Sequence, residues 1–221
     1  MLELKQTVHN LIGSPKDIKA LENNPSPRLL IVSDSHGRTQ ILKDIITQYG
    51  SGCDALIFCG DGTSDLLMLL DEAANDKNLR KMLPSVIAFA KGNGDGSRYN
   101  TGFSRNPIIV PERQILCANH RNFLIVHGHN EGINWGFENC GFTAQLENCK
   151  NIFYGHTHVT REDRINDFTF VNPGSCSLPR CGQPQCFAIA TVDSKFVDIA
   201  HIKINRNGED FNKYSLFTPI Y

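Results

Sequence analysis

The chain has 221 residues, of which 40% are hydrophobic and 20% charged, with a formal net charge of −1. It is long enough to bury its own core, and its charge excludes a general nucleic-acid grip, which needs a basic face. No apolar run is long enough to cross a bilayer, and the opening MLELKQTVHN lacks the basic-then-apolar block of a signal peptide. A cytoplasmic protein is therefore expected. Eight cysteines occur without a CxxC pair. Those in apolar runs, such as Cys59 and Cys186, read as buried thiols. The even series Cys176, Cys181, Cys186 matches no common zinc module.

Residues 1–27 read as an N-terminal extension ending in the linker NNPSPR, where Pro25 and Pro27 favour extended backbone. This segment could be an arm for a partner or a second subunit of a homo-oligomer. The main domain is expected over residues 28–221. LLIV before Ser33 is a short continuous apolar run, the signature of a buried strand. Ile41, Leu42, Ile45, Ile46 and Tyr49 then follow helical spacing. ALIFCGD ends a second strand at Asp61. Asp65 is expected to cap the next helix, whose inner face carries Leu66, Leu67, Leu69 and Leu70. Val86 to Ala90 forms a third strand, and strand–helix alternation predicts a parallel sheet with crossover helices. Residues 98–107 read as a polar loop. Two more buried strands, Asn122–Val126 and Asn151–Tyr154, flank a helix predicted within 136–148. The final candidates, Phe168–Val171, Phe187–Val192 and Phe196–Ile204, have no helix between them and predict an antiparallel block.

Five of these strands end in candidate ligands: Asp34 and His36, Asp61, Asn93, His127 with His129, and His156 with His158. In a parallel α/β sheet the carboxyl ends of the strands share one edge, where ligands bind. Each residue alone has a structural reading as a turn or cap residue. Together they would crowd costly polar groups at one place, and divalent cations relieve that crowding. Mixed nitrogen and oxygen ligands suit Mn, Fe, Zn, Co or Ni better than Ca, with manganese the first expectation. Seven ligands exceed one tetrahedral site, so two metal ions are expected.

In order, the motifs SDSHG, CGD, KGNGD, VHGH and YGHTH resemble those of the calcineurin-like metallophosphoesterases. The trailing VNPGS (171–175) resembles the small bacterial and archaeal phosphodiesterase branch. The resemblance covers roughly residues 28–204 and implies a four-layer α/β/β/α sandwich. It also implies one metal held by Asp34, His36 and His158, a second held by Asn93, His127 and His156, and Asp61 bridging both. The implied reaction is hydrolysis of a small phosphodiester by a metal-bridging hydroxide.

The chain departs from many superfamily members at Gly94, where GNH supplies a histidine to the leaving group. His129 or Asp95 could take that place. Arg98 and Arg180 are candidates for phosphate contact, since guanidinium forks match phosphate oxygens. Two rivals keep the same fold: an interaction scaffold with vestigial metal binding, and a phosphomonoesterase or protein phosphatase. A third, a glycine-rich nucleotide loop at KGNGDGS, lacks GxGxxG and the GK[ST] ending.

Overall fold

The computed structural model describes residues 2–205 and 213–219. In chain order the strands and α-helices are β1 (Ile12–Gly13), α1 (Pro15–Asn23), β2 (Arg28–Val32), α2 (Thr39–Tyr49), β3 (Ala55–Phe58), α3 (Thr63–Asn75), α4 (Lys77–Met82) and β4 (Val86–Phe89). There follow β5 (Arg98–Tyr99), β6 (Ile108–Ile109), β7 (Arg113–Ala118), β8 (Arg121–Val126), α5 (Glu138–Leu146) and β9 (Asn151–Phe153). The last five are β10 (Arg161–Ile165), β11 (Phe168–Asn172), β12 (Cys186–Val192), β13 (Val197–Ile204) and β14 (Tyr214–Phe217).

Two sheets carry the architecture, ordered β1-β4-β3-β2-β12-β13-β14 and β10-β11-β9-β8-β7. Strands β2, β3 and β4 pair in parallel, as do β8, β9 and β11. Three apolar layers follow from the alternation of side chains across each sheet. Leu30, Val32, Leu56 and Phe58 face α2 and α3 through Leu42, Ile46, Leu66 and Leu70. Leu29, Ile31, Ala55 and Ile57 point the other way, into a layer shared with Phe123, Ile125 and Phe153 of the second sheet. Leu124, Val126 and Ile152 bury their faces against Cys140 and Ala144 of α5. The stack is therefore helix, sheet, sheet, helix, the expected four-layer sandwich. No helix among the described residues is long and apolar enough to cross a membrane.

Three sequence expectations need correction. The anticipated antiparallel block is divided. Strand β11 pairs parallel with β9 in one sheet, while β12 and β13 pair antiparallel in the other. Asp65 does not cap α3, because the helix starts at Thr63 and the Asp65 carboxylate turns to Ser35 Oγ, Gly37 N and Thr39 Oγ1 at 2.6–2.9 Å. Residues 1–27, expected as a separate extension, dock on the sandwich. Strand β1 pairs antiparallel with the edge of β4. Leu2 and Ile12 are fully buried in the outer helical layer, and Leu11 and Leu21 enter the layer between the sheets. Their apolar side chains cover a sheet edge that would otherwise be open.

Candidate metal centre

The strands β2, β3, β8 and β9 all end at one edge, and the loops leaving them carry the candidate ligands. Asp34 and His36 follow β2, Asp61 follows β3, His127 follows β8, and His156 and His158 follow β9. Five of these residues adopt left-handed backbone: Asp34 (φ 55°), His36 (44°), Asp61 (52°), His156 (67°) and His158 (59°). Side chains other than glycine rarely adopt this region, and such strain gathers at functional sites. Close approach makes glycine necessary nearby. A Cβ at Gly92 would lie 2.1 Å from Asp61 Oδ1, and one at Gly155 would lie 2.1 Å from Ser33 Oγ and 2.7 Å from Asp34 Oδ2.

The ligand atoms form two overlapping groups, Asp34–His36–His158 and Asp34–Asp61–His127, each with its atoms within 4.8 Å of one another. Asp34 Oδ1 lies 3.2 Å from His158 Nε2, 3.7 Å from His36 Nε2 and 4.0 Å from His127 Nε2. Asp61 Oδ2 reaches His127 Nε2 at 3.4 Å and His36 Nε2 at 3.8 Å. Asp34 is thus common to both groups, while Asp61 also spans both sides. His127 Nδ1 donates to Cys59 O at 2.7 Å and His158 Nδ1 to Leu178 O at 2.6 Å. Since a carbonyl only accepts, both rings present Nε2 to the centre.

The donor set fits divalent cations. Asp34 Oδ1 and His127 Nε2 are buried without a hydrogen-bond partner, and the Nε2 atoms of His36 and His158 face each other at 3.0 Å. Buried polar atoms are normally paired, so these converging lone pairs call for a cation. Burial would raise the Asp34 carboxyl, but the imidazoles of His158 and His36 beside it hold it well below the usual carboxylate range. Asp61 is also lowered: burial acts against this, and His127 outweighs it. The Asp34 carboxylate beside it raises His36. His127 is raised because Asp61 and Asp34 overcome its burial.

The remaining candidates stand around this group. His156 packs edge-on to His127 with ring centroids 5.1 Å apart, and its Nε2 accepts from Asn134 Nδ2 at 3.1 Å. Asn93 is exposed at the rim. It lies between Gly92, which abuts Asp61, and Gly94, whose N–H donates to Asp61 Oδ1 at 2.7 Å. His129 lies 5.4 Å from His127 by ring centroid, with its Nδ1 buried and unpaired. Burial and the His127 charge lower its pKa.

The profile of the Calcineurin-like phosphoesterase superfamily domain matches residues 28–195. The chain belongs to this superfamily. Among its relatives, the probable metallophosphoesterase YsnB of Bacillus subtilis is 28% identical over 166 residues, covering 75% of this chain and 85% of that protein. The phosphodiesterase YfcE of Escherichia coli is 29% identical over 172 residues, covering 75% and 88%. A predicted phosphoesterase from Streptococcus pneumoniae superposes with a TM-score of 0.62 at 25% identity, over 87% of this chain and 97% of that one. These bacterial relatives agree with the small branch that the motifs resemble.

Several supporting residues of this calcineurin-like phosphoesterase escape sequence reasoning. Asp95, a candidate proton donor, instead accepts from Asp61 N, Gly62 N, Thr63 N, Thr63 Oγ1 and Gly92 N at 2.8–3.0 Å. Both of its oxygens are committed to capping α3 and holding the Asp61 turn, so Asp95 holds Asp61 in place and is not the expected proton donor. Ser175 Oγ and Ser177 Oγ donate to Asp34 O, and Asn172 Nδ2 donates to Gly155 O and Thr157 Oγ1. The VNPGS segment thus braces two ligand loops. No spacing rule picks out these partners or Asn134, because apart from the Asp95–Gly92 bond each contact spans more than 14 residues of chain. Arg180 is exposed, with its N–H donating to His158 O at 3.1 Å, while Arg98 is exposed in the β5–β6 hairpin. Among the described residues, the cysteines belong to none of the groups able to hold a metal. All eight are free thiols, and Cys176 and Cys186 are buried while Cys181 is exposed.

Proposed function

We propose that this protein hydrolyses small phosphodiesters with the aid of two divalent cations. Asp34, His36 and His158 would hold one, Asn93, His127 and His156 the other, and Asp61 would serve both. The observation that carries the reading is the convergence of unpaired, buried Asp34 Oδ1 and His127 Nε2 on neighbouring ligand atoms. When bound, the cations neutralise phosphoryl charge and make water a better nucleophile near neutral pH. The reaction adds water oxygen to phosphorus and breaks one P–O ester bond, giving a phosphomonoester and an alcohol.

The chain's own residues set the terms of that reaction. Asp34 and Asp61 contribute two negative charges, so two divalent cations leave the centre positive towards a phosphate ester. Cys59 O and Leu178 O fix the tautomers of His127 and His158, which keeps their Nε2 lone pairs on the centre. Gly94 offers no proton. His129 is the candidate for protonating the departing alkoxide, because its imidazole borders the centre beside His127. Arg180, whose backbone N–H is anchored on His158 O, would meet phosphate oxygens; Arg98, in the β5–β6 hairpin, has the weaker claim.

The test is turnover of bis-p-nitrophenyl phosphate and p-nitrophenyl phosphate with Mn, Ni, Zn and Fe, beside elemental analysis. Asp61→Asn and His127→Ala should each lose metal and reduce turnover by at least ~100-fold. Wild-type protein that takes up no metal would favour the scaffold reading. Near-normal turnover with metal retained in both variants would refute the ligand assignment.

A further inference from the structure

A cavity of about 540 Å³ opens beside the metal centre, within the range of sites for small organic molecules. Its walls include Ile133, Asn134, Phe137, Thr157, Val159 and Cys181. Two connections join it to the centre. Asn134 lines the cavity and donates to His156 Nε2, and Thr157 lies between His156 and His158. The opposite wall is tied to the same place, because the Arg180 N–H donates to His158 O and Arg180 O accepts from Gln183 N.

The lining is selective in kind. Ile133, Phe137 and Val159 supply apolar surface. Arg161, ion-paired with Asp163, places its guanidinium 5.7 Å from the Phe137 ring centroid, making a flat cationic–aromatic wall. The side chains of Thr157 and Gln183 are already engaged with Asn172 and Thr160. A ligand therefore meets few unsatisfied polar groups here and gains mainly by burying a flat apolar surface.

We infer that this cavity binds one ester substituent of the substrate and selects for an aromatic or heteroaromatic ring. The inference rests on the phosphodiesterase reading, since that reading places the phosphoryl group at the adjoining metals. Neither the charge of the centre nor its ligand set distinguishes one ester substituent from another. The wall of Phe137, Val159 and the Arg161 stem does.

Two features make the cavity accessible to experiment. Cys181 is the one exposed cysteine among the described residues, so a maleimide reaches it first. Trp135, the single tryptophan of the chain, is 94% exposed and sits between the lining residues Asn134 and Gly136. Any change in its fluorescence on ligand addition is read without turnover.

Competitive inhibition by phenyl phosphate and by inorganic phosphate is compared before and after alkylation with N-phenylmaleimide, with Cys181→Ser as the protected control. Phenyl phosphate should bind ~10-fold more tightly than inorganic phosphate, the gain expected from burying one ring. Alkylation should erase that preference in the wild type, leave the constant for inorganic phosphate within about twofold, and spare Cys181→Ser. Val159→Trp, which fills the cavity from a second wall, should likewise remove the preference. Equal binding of the two anions by untreated protein, or an equal shift of both on alkylation, would overturn the inference. If the wild type hydrolyses no ester with any metal, the phosphodiesterase reading fails by itself. Calorimetric titration with the same two anions then decides the cavity separately: alkylation-sensitive binding of phenyl phosphate supports it, and no binding refutes it.

Discussion

Replacing Asp95 by alanine tests whether this carboxylate holds the site together or donates a proton. Its two oxygens accept five hydrogen bonds, from Asp61 N, Gly62 N, Thr63 N and Oγ1, and Gly92 N. Alanine strands four backbone N–H groups at the start of α3 and the Asp61 turn. At roughly 1 kcal/mol for each of these four stranded N–H groups the ceiling is about 4 kcal/mol. The groups are only part-buried and water recovers some of this, so about 2–3 kcal/mol is expected. For a chain of this size that is a fall in Tm of ~5–10 °C. Asp95→Asn keeps one acceptor oxygen and should cost about 1 kcal/mol. The left-handed Asp61 backbone (φ 52°) is held from this carboxylate, so metal affinity should also fall by ~10–100-fold in the alanine variant. Urea unfolding in EDTA and metal titration measure the two effects. The pH–rate profile of Asp95→Asn should keep both limbs of the wild-type curve. Unfolding of Asp95→Ala within 0.5 kcal/mol of wild type (about the error of such comparisons), or loss of the alkaline limb in Asp95→Asn, would refute the assignment.

Three further outcomes are expected. His201 is buried, with both ring nitrogens unpaired, and burial lowers its pKa to about 4. The unfolded chain takes up this proton near pH 6.5 and the folded chain does not, so stability is lost as pH falls from 6.5 towards 4. That amounts to about 2 kcal/mol between pH 7.5 and 5, and the slope should flatten in His201→Leu when denaturation in EDTA is compared across pH. Gly92→Ala drives a Cβ to 2.1 Å from Asp61 Oδ1, so elemental analysis should find the metal content at least halved; full occupancy would count against the tight Gly92–Asp61 contact. Gly94→His places its Cβ 3.2 Å from Asp61 Oδ1, which needs only a small shift. It should raise turnover of diesters with alkyl leaving groups more than that of p-nitrophenyl esters, because good leaving groups need little protonation. Equal effects on both would mean that no acid is missing.

Much of the fold was legible because its central strands are buried on both faces. The apolar runs at Arg28–Val32, Ala55–Phe58, Val86–Phe89 and Arg121–Val126 announce themselves without partners. Strand β10, REDRI, has no apolar pattern and lies at a sheet edge, where pairing with β11 makes it a strand. Strand β11 was visible, but its partner was not. A strand's local sequence specifies its faces, whereas the choice between β9 and β12 as neighbour is made by packing between the sheets. Short apolar pieces in residues 1–27 likewise gave no sign that Leu2, Ile12 and Leu21 would be buried.

The site divides in the same way. The candidate ligands were legible locally, since these Asp, Asn and His residues follow strand ends, and parallel strands deliver their carboxyl ends to one edge. Which atoms face which was decided by tertiary contacts. Cys59 O and Leu178 O choose the histidine tautomers, Asp95 reaches 34 residues back to hold Asp61, and Ser175 and Ser177 grip the backbone of Asp34 from 141 and 143 residues away. Such bonds join residues of ordinary type at arbitrary separation, so no periodicity encodes them. The adjoining cavity is wholly a product of the fold: Phe137, Val159 and Cys181 become its walls only when the loops after β8 and β9 and the segment before β12 come together. Sequence by itself determined the chemistry gathered at the sheet edge. Tertiary structure decided its orientation and the space beside it, because both depend on surfaces that exist only once distant segments are packed.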